Sequence, residues 1–180
     1  MRWAKKQNCL CEGYEGVIKL KKNLFIVGLP GSGKSSVLKI LSEDFGYTVI
    51  DVDELVELEA GMKPEEVVRN NGLEALKKIE RRILRRLKNV EGYIIATIGL
   101  SQDIPDSSDV VYLKHPRSKS ISKMTIKFQF KNEKRKKRLL ALYDEFHSHF
   151  SKNSSLVISV EGKNRFEIAK IIDDFIRKRN

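Results

Sequence analysis

The stretch LFIVGLPGSGKSS, residues 24–36, constrains this chain more than any other. Leu24 to Val27 form an uninterrupted apolar run, as in a strand buried on both faces. Gly28-Leu29-Pro30-Gly31-Ser32-Gly33-Lys34-Ser35 follows and satisfies the spacing G-x-x-x-x-G-K-[ST] at every position. A helical pattern over about 34–44 comes next, with Val37, Leu38, Leu41 and Phe45 on one face and Gly46 as its stop. Strand before and helix after are the context in which this spacing carries a mechanism. Glycines permit the conformations that turn successive backbone N–H groups inward. Those groups, with the helix N-terminus, make an anion cradle. The predicted phosphate-holding set is Gly28, Pro30, Gly31, Ser32, Gly33, Lys34, Ser35 and Ser36. In such a loop Lys34 reaches the β- and γ-phosphates of ATP, and the Ser35 hydroxyl ligates Mg²⁺.

The rest of the chain supplies an alternation of strands and helices. YTVID (47–51) reads as a second strand, YIIAT (93–97) and DVVYL (109–113) as two more, and SLVISV (155–160) as a fifth. Between them, DELVELEA reads as a short helix ending at Gly61. KPEEVVRNNG reads as another, with Pro64 in its first turn and Gly72 past its end. Residues 73–88 form a longer helix with Leu73, Leu76, Ile79, Ile83, Leu84 and Leu87 inward and Arg81, Arg82, Arg85 and Arg86 outward. RFEIAKIIDDFIRK closes the chain. The alternation predicts an α/β fold, a parallel sheet covered by helices on both faces. In open sheets of this kind ligands sit outside the carboxyl ends of the strands. Asp51-Val52-Asp53 ends the second strand there, and its alternation aims one carboxylate at the metal and the other at a substrate. Capping of the following helix by Asp53 is the alternative reading.

The 180 residues suit one domain: a kinase-like unit over 23–180 behind a polar extension, 1–22, with a short strand at GVIKLK. No apolar run approaches the roughly 20 residues that span a bilayer. The first residues lack the apolar stretch of a secretory leader, which predicts a cytoplasmic location. Cys9 and Cys11 stand two apart with no second pair, so free thiols are expected. His147 and His149 do not share a helix face and His115 is remote in sequence, so all three read as surface or packing residues. The net charge of +11 suits anionic partners without choosing among them. It is concentrated in KKIERRILRRLK (77–88) and KNEKRKKR (131–138).

The succession GLPGSGKS, LSEDFGYTVIDVDELVELEAG, NNGLEALKKIE, YIIATIGL and DVVYLKHP resembles shikimate kinase, a member of the nucleoside-monophosphate-kinase-like P-loop group. The likeness covers about 24–116 and extends weakly to about 178. It implies a three-layer fold whose five-stranded parallel sheet has the order 2-3-1-4-5, substrate-binding helices at about 53–89 and a mobile lid at about 117–138. The implied reaction transfers the γ-phosphoryl of ATP to a hydroxyl of a small metabolite. Asp51 matches the aspartate near Mg²⁺, so that Ser35 and Asp51 form the metal set. Asp53 matches the aspartate that binds the acceptor hydroxyls and is the candidate general base. Lys34 matches the catalytic lysine. Arg138, in Arg138-Leu139-Leu140, echoes the lid motif and completes the catalytic set; Arg135 and Arg117 are the other lid candidates.

The departures lie on the acceptor side. Leu76-Lys77 stands where the family has Phe-Arg, keeping a charge but losing the bidentate fork. Ile98-Gly99-Leu100 replaces three glycines, with Gly99 retained as a backbone donor to the acceptor. Phe146 and Phe150 stand where a second carboxylate-gripping arginine and a tyrosine are expected. Losing two charge-assisted contacts weakens a carboxylate ligand by roughly 10²–10⁴-fold. The predicted acceptor set is Asp53, Lys77 and Gly99, with Glu80 pairing Lys77 along the helix. The acceptor is therefore shikimate or a changed hydroxylated metabolite, and a monomer or weak dimer is expected. The alternatives are a nucleoside or nucleotide kinase, with Arg69, Arg81 or Arg82 clamping a second phosphate, and a catalytically degenerate nucleotide- or RNA-binding protein.

Overall fold

The structure, a computed structural model, describes residues 18, 20–101, 103–105, 108–128 and 133–179; the side chains of residues 127, 133–136, 138 and 139 lie outside the described set. Cys9 and Cys11, and most of the 1–22 extension, therefore fall outside the described residues. Of that extension, Ile18 forms an isolated parallel bridge to Tyr47 and Leu20 is buried in the core.

Five strands form one parallel sheet: β1 (Leu24–Val27), β2 (Val49–Asp51), β3 (Ile94–Ala96), β4 (Asp109–Lys114) and β5 (Leu156–Ser159). Their order is β2-β3-β1-β4-β5, as the resemblance implies. β1 is central because it is the most apolar strand and pairs on both edges, Phe25 opposite Ile95 on one side and Val110 on the other. Its alternation splits the core. Leu24 and Ile26 pack against helices α1 (Lys34–Glu43) and α7 (Arg165–Arg177). Phe25 and Val27 pack against α2 (Val52–Ala60), α3 (Pro64–Asn71), α4 (Leu73–Leu87) and α6 (Glu133–Asn153). The strand-and-helix pattern anticipated from sequence matches to within about two residues at most boundaries.

Between β4 and β5 the chain folds into two helices. The expected lid at about 117–138 begins as a helix, α5 (Arg117–Lys127), and its end belongs to the 21-residue helix α6. Phe146 and Phe150 are buried on α6 against the ring of Tyr112, with ring centroids 5.9 and 6.2 Å away. Both help fill the core, and Phe146 also lines a pocket beside α4.

Candidate active site

The loop after β1 turns as its glycines require. Gly31 and Gly33 have φ of +85° and +94°. A Cβ on Gly28 would stand 2.6 Å from Ser32 Oγ and 2.9 Å from the Leu113 carbonyl, so only glycine fits. Lys34 is buried, and its ammonium folds back to donate to the carbonyls of Gly28 at 2.6 Å and Leu29 at 3.4 Å. Ser32 Oγ is buried without a hydrogen-bond partner, which suits a cradle built for an anion. Ser35 and Ser36 are exposed at the start of α1, on the open side of the cradle.

The second strand delivers its carboxylates beside this loop. Asp51, not Asp53, caps α2: its Oδ1 accepts the Asp53 N–H at 3.0 Å. Extended backbone at Asp51 followed at once by helix leaves that N–H without an intrahelical acceptor, and the nearest side-chain oxygen is the one supplied by Asp51. Burial pushes the Asp51 carboxyl above its ordinary value; the Ser35 hydroxyl bonds to it and lowers it, Asp53 raises it, and Lys34 lowers it. The oxygen donors Ser35 and Asp51 thus meet, as the predicted Mg²⁺ set requires, and all-oxygen ligands fit a hard cation. Among the described residues no group of three or more His, Cys, Asp or Glu side chains forms a metal cage.

The structure adds a carboxylate that the sequence reading assigned elsewhere. Glu80 does not pair with Lys77; Lys77 lies 3.5 Å from Glu74, one turn earlier. Glu80 is completely buried on the apolar face of α4, and its oxygens accept the N–H groups of Gly99 at 3.1 Å and Leu100 at 3.2 Å. Burial pushes its carboxyl up to about 7, against the pull of those two bonds and of the Lys34 charge. The backbone donor expected from Gly99 for an acceptor is therefore engaged by Glu80. Leu76, Ile83, Leu84 and Leu87 share its face, so the signal was a lone carboxylate in an apolar stripe.

Two further cations lie on the loop. Lys123 of α5 donates to the Gly31 carbonyl at 2.8 Å, with His115 Nε2 2.9 Å from its ammonium. Burial, then the charges of Lys123, Arg165 and Lys119, push the His115 imidazole down to about 4. Arg165, the first residue of α7, donates to the Ser32 carbonyl at 3.2 Å and lies where a side chain on Gly33 would go. A capping box fixes the start of α7: Asn164 Oδ1 accepts the Glu167 N–H at 2.9 Å, and Glu167 accepts the Asn164 N–H at 2.7 Å.

The lid arginines fare differently. The side chains of Arg135 and Arg138 lie outside the described residues. Arg117 is bound to Asp144 of α6 through two bonds of 3.0 and 2.7 Å, on the surface. Arg81 pairs with Asp103 at 2.5 Å, and Arg82 and Arg86 both pair with Glu59. A pocket of about 330 Å³ lies beside α4, lined by Lys77, Arg81, Leu100, Phe146 and His149 among others. Its lining holds Lys77 but neither Asp53 nor Gly99, so the predicted acceptor set is only partly brought together.

A parallel sheet in this order, with a complete phosphate loop after its central strand, defines a P-loop kinase fold. The family profile described as shikimate kinase matches residues 30–177. The chain belongs to the shikimate kinase family. A shikimate kinase from Persephonella marina is 27% identical over 169 residues, covering 87% of this chain and 99% of that protein. One from Sulfurihydrogenibium is 37% identical over 78 residues, covering 43% of this chain and 47% of the relative. The structure of shikimate kinase from Acinetobacter baumannii in complex with shikimate superposes with a TM-score of 0.69 at 20% identity, covering 88% of this chain and 94% of the other. Among the described residues no helix is long and apolar enough to cross a membrane.

Proposed function

We propose that the chain is an ATP-dependent phosphotransferase acting on an alcohol, with shikimate as the first acceptor to test. The observation that carries this reading is the meeting of the Lys34 loop with the Asp51 and Asp53 carboxylates at the carboxyl ends of β1 and β2. Asp53 orients the acceptor hydroxyl and takes its proton as the oxygen attacks the γ-phosphorus. The new O–P bond forms as the bond to the β,γ-bridging oxygen breaks, and ADP leaves. Lys34 and the loop N–H groups hold the transferring charge. Ser35 and Asp51 would hold Mg²⁺, which would supply neutralisation of the phosphate charge. Lys77 lines the pocket beside α4 and would meet an acceptor carboxylate there, with Arg81 nearby. The lid expected at about 117–138 would close over the nucleotide and exclude water.

The nucleotide-kinase reading has less support, because Arg81 and Arg82 are engaged by Asp103 and Glu59. The test is turnover of Mg·ATP by the purified chain against shikimate, polyols and nucleoside monophosphates, with the product identified by mass. Phosphorylated shikimate is the expected result. Tight ATP binding with no phosphorylated product from any hydroxyl compound overturns the kinase reading; a phosphorylated nucleotide replaces it with the second one.

A further inference from the structure

Glu80 is a buried carboxyl group, ionised only above about pH 7, that the transfer step leaves without a role. A carboxylate removed from water is unfavourable unless its oxygens are hydrogen-bonded. A leucine here would extend the apolar stripe of α4 without that penalty. What Glu80 does instead is grip two consecutive peptide N–H groups, one with each oxygen, Gly99 at 3.1 Å and Leu100 at 3.2 Å. A two-point grip fixes the orientation of the 99–100 turn as well as its position.

That turn rests directly on the phosphate loop. Gly99 has φ +87°, and its Cα faces the Gly28–Leu29 peptide so closely that a Cβ would overlap the Gly28 carbonyl oxygen, lying 2.9 Å from its carbon and 3.3 Å from Leu29 Cα. The same carbonyl oxygen accepts the Lys34 ammonium at 2.6 Å. Contacts therefore run without a break from Glu80 through Gly99 and Gly28 to Lys34. The charges of Lys34 and, on the far side, Asp53 also act on Glu80.

We infer that Glu80 is a positioning residue for the phosphate-holding lysine: by gripping the 99–100 turn it holds that turn against the first peptide of the loop and so sets where the Lys34 ammonium sits. The inference rests on the nucleotide half of the proposed function and is independent of the acceptor.

The test is calorimetric titration with Mg·ADP of the wild type, E80Q, E80D, K34M and the double variant K34M/E80Q, with thermal melts in parallel. Glutamine offers one acceptor oxygen and an NH₂ that cannot accept an N–H; aspartate keeps the charge but is one methylene short. Both variants are expected to melt cooperatively and to bind Mg·ADP about tenfold more weakly, the scale of one lost hydrogen bond to a charged group. In the K34M background E80Q is expected to add little, because its effect passes through the lysine. A purely electrostatic role would make E80Q bind more tightly and leave E80D unchanged. A merely structural role would lower both melting temperatures and leave the affinity of the folded protein intact. Additive losses in the double variant would mean that Glu80 acts without Lys34. Each of those three outcomes overturns the inference. Should E80Q fail to melt cooperatively, K34M/E80D completes the same cycle. Because ADP is the probe, a failed search for the acceptor leaves the result readable.

Discussion

Replacing Gly99 by alanine tests the packing of the acceptor-side turn on the phosphate loop. Two penalties are written in the structure. The residue has φ +87°, a conformation that costs an L-residue about 1–2 kcal/mol. The added Cβ would also overlap the Gly28 carbonyl, and that neighbour is backbone, unable to rotate aside. Overpacking of this kind typically costs about 1–3 kcal/mol. The sum, about 2–5 kcal/mol, lowers the melting temperature by roughly 5–15 °C for a domain of this size. Gly61→Ala is the control. Gly61 has φ +68° but nothing within 4 Å of a Cβ, so it isolates the conformational penalty alone. Calorimetric melts of both variants, with Mg·ADP titrations, separate the two contributions. Gly99→Ala is expected to lose more stability than Gly61→Ala and, unlike it, to bind nucleotide more weakly, because the loop must give way. Equal losses of stability in the two variants, with nucleotide affinity unchanged in both, would refute the claim that the turn and the loop are packed as one unit.

Three other outcomes are expected. Glu80 is protonated in both folded and unfolded chains below its ordinary 4.5; between there and about 7 the folded chain alone keeps the proton, so the Glu80 contribution to stability is lost as pH rises through that window, by about 3 kcal/mol. Urea unfolding of wild type and E80Q across pH 4–8 checks this: the wild-type stability should fall relative to E80Q up to about pH 7 and then run level, and parallel curves would refute it. Asp53→Asn is expected to bind Mg·ATP within a few-fold of wild type while kcat falls by about 10²–10⁴-fold, as loss of a general base does; an unaltered kcat would remove Asp53 from the proton transfer. Tyr47→Phe deletes the 2.7 Å bond to Asp173, which joins α7 to the start of β2, and should lower stability by about 1–3 kcal/mol with nucleotide affinity unchanged; an effect on nucleotide binding would show that this contact reaches the loop.

The phosphate half was legible because its determinants are local. A short run of residues carries the glycines, the lysine and the serine, and each acts through backbone conformation or reach within that run. The strands were legible for a related reason, since apolar runs such as Leu24–Val27 are buried on both faces and need no partner to be recognised. The helices between β4 and β5 were not anticipated. In α5, Ser120 and Met124 are among the few residues that turn inward, so its sequence carries little helical periodicity. In α6 the spacing was present: Leu142, Tyr143, Phe146 and Phe150 fall on one face and are all buried. With Phe146 and Phe150 read as departures on the acceptor side, that spacing was left unassigned to a helix. Glu80 was misread as a partner of Lys77, because helical spacing reports which residues are neighbours on a surface and not which way an apolar face turns a carboxylate. The cations on the loop, Lys123 and Arg165, come from 90 and more residues away and are joined to it by tertiary structure alone.

The acceptor half differs because its changes are coupled. Phe146, expected from the resemblance to stand in place of an arginine, packs α6 against Tyr112. Ile98 and Leu100 bury two more apolar side chains, and Gly99 between them is the residue whose backbone passes the loop. In the proposed reading, with the Gly99 and Leu100 donors held by Glu80, the cations beside the pocket of α4 for an acceptor carboxylate are Lys77 and Arg81, each already paired, with Glu74 and with Asp103. On that reading the grip on an acceptor anion would be weak, and the hydroxyl beside Asp53 would be the stronger determinant of what is phosphorylated. A hydroxylated ligand without a carboxylate loses less here than it would in a site with both arginines. Comparing kcat/KM for shikimate with that for an uncharged cyclic polyol reads this directly. A preference for shikimate of about a hundredfold or less fits a lone lysine contact, whereas one beyond roughly 10⁴-fold would require a second cation, Arg81 released from Asp103, on the acceptor.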